Sequence, residues 1–100
     1  MREAEFFFTE GEKHYILEDY TKALLYYQRT AELNPTNPTV HYKIADVFSR
    51  NQNEEDLIKA SGSIETAIRL DPNNKYFYLL ASNIFANLNQ YTKAQEILEK

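Results

Sequence analysis

The sequence predicts an all-α fold: a solenoid of helical hairpins, with about six helices and no strands. Three observations predict it. The first is an internal repeat. Gly11 to Ala45 and Phe7 to His41 are each 34 residues apart, Ala23 to Ala60 and Pro35 to Pro72 are each 37, and Ala60 to Ala94 is again 34. Fixed periods of 20–50 residues mark stacked units, and one near 34 suits a helix–turn–helix pair. The second is the stretch Tyr20–Pro35, where Tyr20, Ala23, Leu24, Tyr27, Ala31 and Leu33 recur near 3.6 residues and define one apolar face. The third is the scarcity of turn formers: 2 glycines and 3 prolines in 100 residues leave little material for β architecture.

The elements follow from punctuation, with helices expected near 3–17, 20–33, 39–51, 54–70, 75–88 and 90–99. Asp19 can accept backbone N–H groups as the N-cap of the second helix. Asn34-Pro35 ends that helix, since proline biases the preceding residue away from helical dihedrals. Asn37-Pro38 is a cap followed by proline at the first helical position, and Asn74 can cap the fifth helix. Asn53 before Glu54-Glu55-Asp56 is a cap with acids in the first turn, favourable toward the helix dipole. The difference between the 34 and 37 intervals requires three inserted residues between Phe48 and Leu57. They either lengthen the fourth helix by nearly a turn or enlarge the loop at Asn51–Asn53, with the helix preferred.

The chain reads as a single domain over 1–100, with units of approximately 4–37, 38–74 and 75–100. Small residues recur at matched sites: Gly11, Ala45 and Ser82 on the first helices, Ala23, Ala60 and Ala94 on the second. At such sites a bulky side chain would push the pair apart. Large aromatics flank them and fill the adjoining space. In this pattern the sequence resembles the tetratricopeptide repeat (TPR) family. The first unit supplies Phe7, Gly11, His14, Tyr20, Ala23, Tyr27 and Pro35. The second supplies His41, Ile44-Ala45, Phe48, Leu57, Ala60, Ile64, Ala67 and Pro72. The third supplies Tyr78, Ala81-Ser82, Phe85, Tyr91, Ala94 and Leu98 before the chain stops. Glu10 departs from the family's leucine and Thr30 from its alanine. The resemblance implies a right-handed superhelix.

Composition narrows function. An apolar fraction of 43% with 26% charged residues is that of a globular domain. A net charge of −4 argues against nucleic acid, whose binders need a basic stripe. With no cysteine, thiol catalysis and thiolate metal sites are excluded. No apolar run approaches the roughly 18 residues of a membrane span, so no membrane insertion is expected. Met1-Arg2-Glu3 leads straight into helix-forming sequence; a cytoplasmic protein is expected if Met1 is the native start, and otherwise a leader has been removed.

Chemistry is largely missing. His14 and His41 fall on aromatic positions of the repeat and read as packed rings, since a metal site needs more ligands at close spacing. Gly11 and Gly62 are isolated in helices and make no phosphate loop. Ser61 and Ser63 have no adjacent base. No enzyme, cofactor or metal is expected. Gly62, between two serines, reads as a tolerated weak spot on the outer face, or as a small patch that a partner helix could approach closely. The acids Glu3, Glu5, Glu10, Glu12, Glu18 and Asp19 read as a solvated face.

The resemblance implies that the first helices of successive units line a concave groove for a peptide or protein segment. Carried over position by position, the groove candidates are Phe8, Glu12, Tyr15, Tyr42, Lys43, Asp46, Arg50, Tyr76, Leu79, Leu80 and Asn83. Several are large and aromatic, and rigid rings give contact area at low entropic cost. The positions at which chaperone-binding members of the family clamp a C-terminal carboxylate hold Phe8, Glu12, Lys43, Tyr76 and Leu80 here. One cation beside a repelling carboxylate implies no such clamp. The expected function is a scaffold that binds a protein or peptide in this groove. The alternative is a fragment of a longer array used for assembly or self-association, or, further off, a secretion-type chaperone. Phe77, Ile84 and Leu88, seven and four residues apart, are expected to face a following unit or a second copy at an uncapped C-terminal end.

Overall fold

A computed structural model of the chain describes residues 2–89. Among them are five α-helices and no strand: α1 (Arg2–Ile16), α2 (Tyr20–Leu33), α3 (Pro38–Ser49), α4 (Glu54–Leu70) and α5 (Lys75–Asn87). The sixth expected helix, 90–99, with Tyr91, Ala94 and Leu98, lies outside the described residues.

Each cap read from the sequence is made. The side chains of Asp19, Asn37, Asn53 and Asn74 accept from the backbone N–H groups of Lys22, Thr39, Asp56 and Tyr76 at 3.3, 3.0, 2.8 and 3.0 Å. Each such cap supplies a partner to an amide that the helix itself leaves unpaired. α1 closes with Glu18 in the left-handed region (φ 60), its N–H bonded to the Tyr15 carbonyl and that of Asp19 to the His14 carbonyl. That is a Schellman closure built on glutamate, although glycine would take the same conformation without strain. The inserted residues sit in α4, as preferred. α2 begins three residues before Ala23 and α4 six before Ala60, while both end ten residues beyond those alanines.

Packing is by hairpin: α1 lies along α2 and α3 along α4, with α2 against α3 and α4 against α5 joining the units. Two cores result. The first gathers Ala23, Tyr27, Val40, Ile44 and Val47. The second gathers Ala45, Ala60, Ile64, Ala67, Phe77, Ala81, Ile84 and Phe85. Gly11 has a specific reason to be glycine. A Cβ there would stand 2.7 Å from both Cδ1 and Cε1 of Tyr27, a ring that is 0% exposed. Thr30 is buried at the family's alanine site because its hydroxyl donates to the Tyr26 carbonyl at 2.8 Å.

One expectation is corrected. Phe77 is 2% exposed, Ile84 is 0%, and Leu88 packs half-buried against the same core. Phe77 and Ile84 lie 37 residues after Val40 and Val47, which are buried between units one and two. The stripe therefore faces the preceding unit rather than a following one or a second copy. The heptad-like spacing identified a buried face without indicating its direction.

Candidate functional site

The first helices of the hairpins lie side by side, and their shared face holds most of the groove candidates. α1 and α3 are tied by a polar cluster with Tyr15 at its hub. The Tyr15 hydroxyl donates to Asp46 Oδ2 at 2.5 Å and accepts from Arg50 Nη2 at 2.6 Å. Arg50 Nε lies 3.5 Å from the same carboxylate, and its guanidinium stacks over the rings of Tyr15 and Tyr20 at 5.2 and 4.8 Å. The Lys43 ammonium also stands 4.7 Å from the Tyr15 ring centroid, and 3.5 Å from Glu12. Glu12 also accepts from the Tyr27 hydroxyl, which reaches up from α2.

The register explains the cluster. Adding 34 to Tyr15 gives Ser49, and Asp46 of α3 and Arg50, its C-cap, flank that position. The long side chains of Tyr15, Lys43 and Arg50 bridge α1 and the following first helix. Charges then balance in place: Glu12 meets Lys43 and Asp46 meets Arg50. Proton affinities respond to these neighbours. Burial, reinforced by the bond to Glu12, pushes the Tyr27 phenol well above the usual tyrosine range. Burial and the Asp46 bond push Tyr15 up against the opposing pull of Arg50. Arg50 is partly desolvated, which works against its charge, yet Tyr15 and Asp46 hold it still more firmly protonated. Tyr15 and Tyr27 thus serve as neutral hydrogen-bond partners in the fold and Arg50 as a paired cation.

The remaining candidates divide by exposure. Phe8 turns toward the first core, 5.9 Å from the Tyr27 ring. Tyr42 stacks on Phe77 at 5.1 Å, and Tyr42 and Leu80 both pack half-buried against the second core. Tyr76 (60% exposed) and Leu79 (50%) stand open on α5, with Asn83 exposed one turn beyond. The eleven candidates thus form three groups: a neutralised polar cluster, three packed rings or aliphatics, and an open apolar patch edged by an amide.

Sequence reasoning missed Tyr27 and Tyr20 as members of the cluster, taking both as packing residues. The available signal was the polar atom on a buried ring, since a buried tyrosine hydroxyl must find an acceptor. His14 is a packed ring, stacked on Tyr26 at 5.4 Å with 3° between planes, whereas His41 is only partly buried and its Nε2 lies 2.7 Å from the Pro35 carbonyl oxygen. Among the described residues no group of three or more His, Asp or Glu side chains is placed to hold a metal ion, and no helix is long and apolar enough to cross a membrane.

Comparison with known proteins places this geometry in a family. Residues 11–52 match a TPR repeat family and residues 75–100 a tetratricopeptide repeat family. The chain superposes on the TPR2B domain of yeast Sti1, solved as a complex with an Hsp70 peptide, with a TM-score of 0.91 at 20% identity over 99% of this chain and 77% of that one. The Arabidopsis OM64 TPR domain superposes with a TM-score of 0.88 at 22% identity, covering 96% and 77%. The first TPR of Spaghetti (RPAP3), solved with an HSP90 peptide, gives 0.86 at 18% identity, covering 98% and 77%. No curated protein sequence matches the chain.

Proposed function

Since the chain belongs to the tetratricopeptide repeat family, we propose that it is a non-catalytic protein-interaction module that holds a segment of another protein on the α1–α3–α5 face. The observation that carries this reading is the open pair Tyr76 and Leu79. Two large apolar side chains on adjacent turns of one helix face, half or more exposed, are the anchors a docked segment would cover. Peptide complexes of the similar Sti1 and RPAP3 domains support the general role.

The docked segment differs in kind from an acid-terminated tail. A carboxylate clamp needs cations free to pair with the ligand, and here Lys43 and Arg50 each already face a carboxylate of the same surface. An acidic end would have to displace Glu12 or Asp46 and leave it beside a second negative charge. The proposed ligand is an internal stretch of chain whose apolar side chains meet Tyr76 and Leu79.

Affinity capture from cell extract tests the reading, comparing the wild type with Tyr76→Ala/Leu79→Ala. Both side chains are exposed, so the double variant keeps its helicity by circular dichroism. Loss of the captured partner at full helicity is the expected result. Undiminished capture would move the site off this face.

A further inference from the structure

The outer surfaces of units one and two differ at matched positions. In unit one, the Tyr26 ring of α2 lies between two rings of α1, 6.2 Å from Phe7 and 5.4 Å from His14, with Leu25 beside it. Arg29 adds its guanidinium over Phe7 at 5.8 Å. Adding the repeat intervals, 34 for the first helix and 37 for the second, maps Phe7 to His41 and His14 to Phe48. The same step maps Leu25 to Gly62, Tyr26 to Ser63 and Lys22 to Lys59. The flanking rings are therefore both present in unit two, in swapped order. Leu25 and Tyr26, which leave a smaller cleft of about 480 Å³ in unit one, are replaced by a glycine and a serine.

The result is an open cleft of about 720 Å³ between α2 and α4, floored by His41, Ile44 and Phe48 of α3 and walled by Gly62 and Ser63. That volume lies within the roughly 300–1,000 Å³ of sites that take small ligands, and the cleft is open enough to be entered by a side chain from outside. Nothing in the packing asks for glycine at position 62, since an added Cβ would meet no atom within 4 Å. A mid-helix glycine is unfavourable relative to alanine, so what it provides is space at the mouth. The Lys59 ammonium stands on the rim, 5.7 Å from the Phe48 centroid and 3.6 Å from the exposed Glu55 carboxylate, while Thr66 takes the place of Arg29.

We propose that this cleft is a receptor slot for one aromatic side chain, a tyrosine or phenylalanine, presented by a partner protein and seated between His41 and Phe48 as Tyr26 is seated between Phe7 and His14. An aromatic occupant is specified by the rings that line the floor. Two flanking rings with a cation on the rim favour a flat π system over a branched aliphatic of similar size. The slot lies on the α2–α4 side of the molecule, so it can act together with the α1–α3–α5 face or without it.

The test is a titration of the full chain with N-acetyl-tyrosinamide, followed by amide NMR, with N-acetyl-leucinamide as the comparison. Saturable shifts centred on Gly62, Ser63 and Phe48 are expected, with a millimolar dissociation constant and at least about fivefold weaker binding of the leucine compound. Ser63→Tyr places a ring between His41 and Phe48, as Tyr26 stands in unit one, and abolishes the shifts at unchanged helicity. Gly62→Leu blocks the mouth and does the same, should Ser63→Tyr fold poorly. The proposal is overturned by an absence of saturable shifts at these residues. It is equally overturned by equal binding of the leucine compound, or by shifts that persist in a folded, filled variant.

Discussion

The two glycines allow one substitution to be read twice. Gly11→Ala and Gly62→Ala are both made inside helices, so both gain the same intrinsic term, about 1 kcal/mol in favour of the folded state. They differ in what the new methyl meets. At position 62 it meets nothing within 4 Å, and the gain is kept. At position 11 it arrives 2.7 Å from two carbons of Tyr27. That ring cannot swing aside cheaply: it is fully buried, abuts Phe8, and is tied through its hydroxyl to Glu12. Overpacking of this kind costs about 1–3 kcal/mol, which leaves Gly11→Ala between neutral and about 2 kcal/mol destabilised. Gly62→Ala is expected to be about 1 kcal/mol more stable than the parent. Equilibrium urea unfolding followed by circular dichroism at 222 nm measures both, and the expected gap is about 1–3 kcal/mol, or upward of roughly 4 °C in melting temperature for a domain of this size. If Gly11→Ala proved as stable as Gly62→Ala, the close α1–α2 contact would not be what fixes glycine at position 11.

Three further outcomes follow from the electrostatics. The fold holds Tyr27 as a neutral phenol, so its contribution is complete below the unfolded tyrosine pKa of about 10 and is lost as pH rises beyond it; Tyr27→Phe costs about 1.5 kcal/mol at neutral pH but flattens the alkaline limb of a stability–pH profile. Asn51 and Asn53 hold the Asp56 carboxyl below its usual range, so its contribution is present above about pH 3.9 and lost as pH falls through the depressed folded value; in Asp56→Asn the stability–pH profile is flatter over that acid interval. A fluorescein-labelled peptide with a free acidic C-terminus shows no saturable anisotropy change below about 1 mM, and micromolar binding lost on amidating that terminus would show that Lys43 or Arg50 is free to clamp a carboxylate.

Most of the fold was legible because its signals are local or periodic. Asp19, Asn37, Asn53 and Asn74 announce helix starts in a few residues, and the 34 and 37 intervals place Gly11, Ala45 and their partners without knowledge of any contact. The inserted residues were assigned to α4 because Asn53 and the acids after it mark where that helix begins. What was not legible was direction and pairing. Phe77 and Ile84 form an apolar stripe in any reading, but only packing decides that it faces the unit before. Groove positions could be carried over by register, yet Lys43 is neutralised by a residue 31 positions away, and no local pattern reports that. The cleft beside Gly62 was read as a weak spot because a small residue is silent until the walls around it are known.

The central claim is that a partner segment docks on the α1–α3–α5 face, and amide hydrogen exchange measured with and without a captured partner tests it most directly. The expected result is slowed exchange in α5 around Tyr76–Asn83 and in the facing turns of α3, with α2 little changed. Protection confined to the α2 and α4 surface, with α5 exchanging as in the free chain, would contradict it.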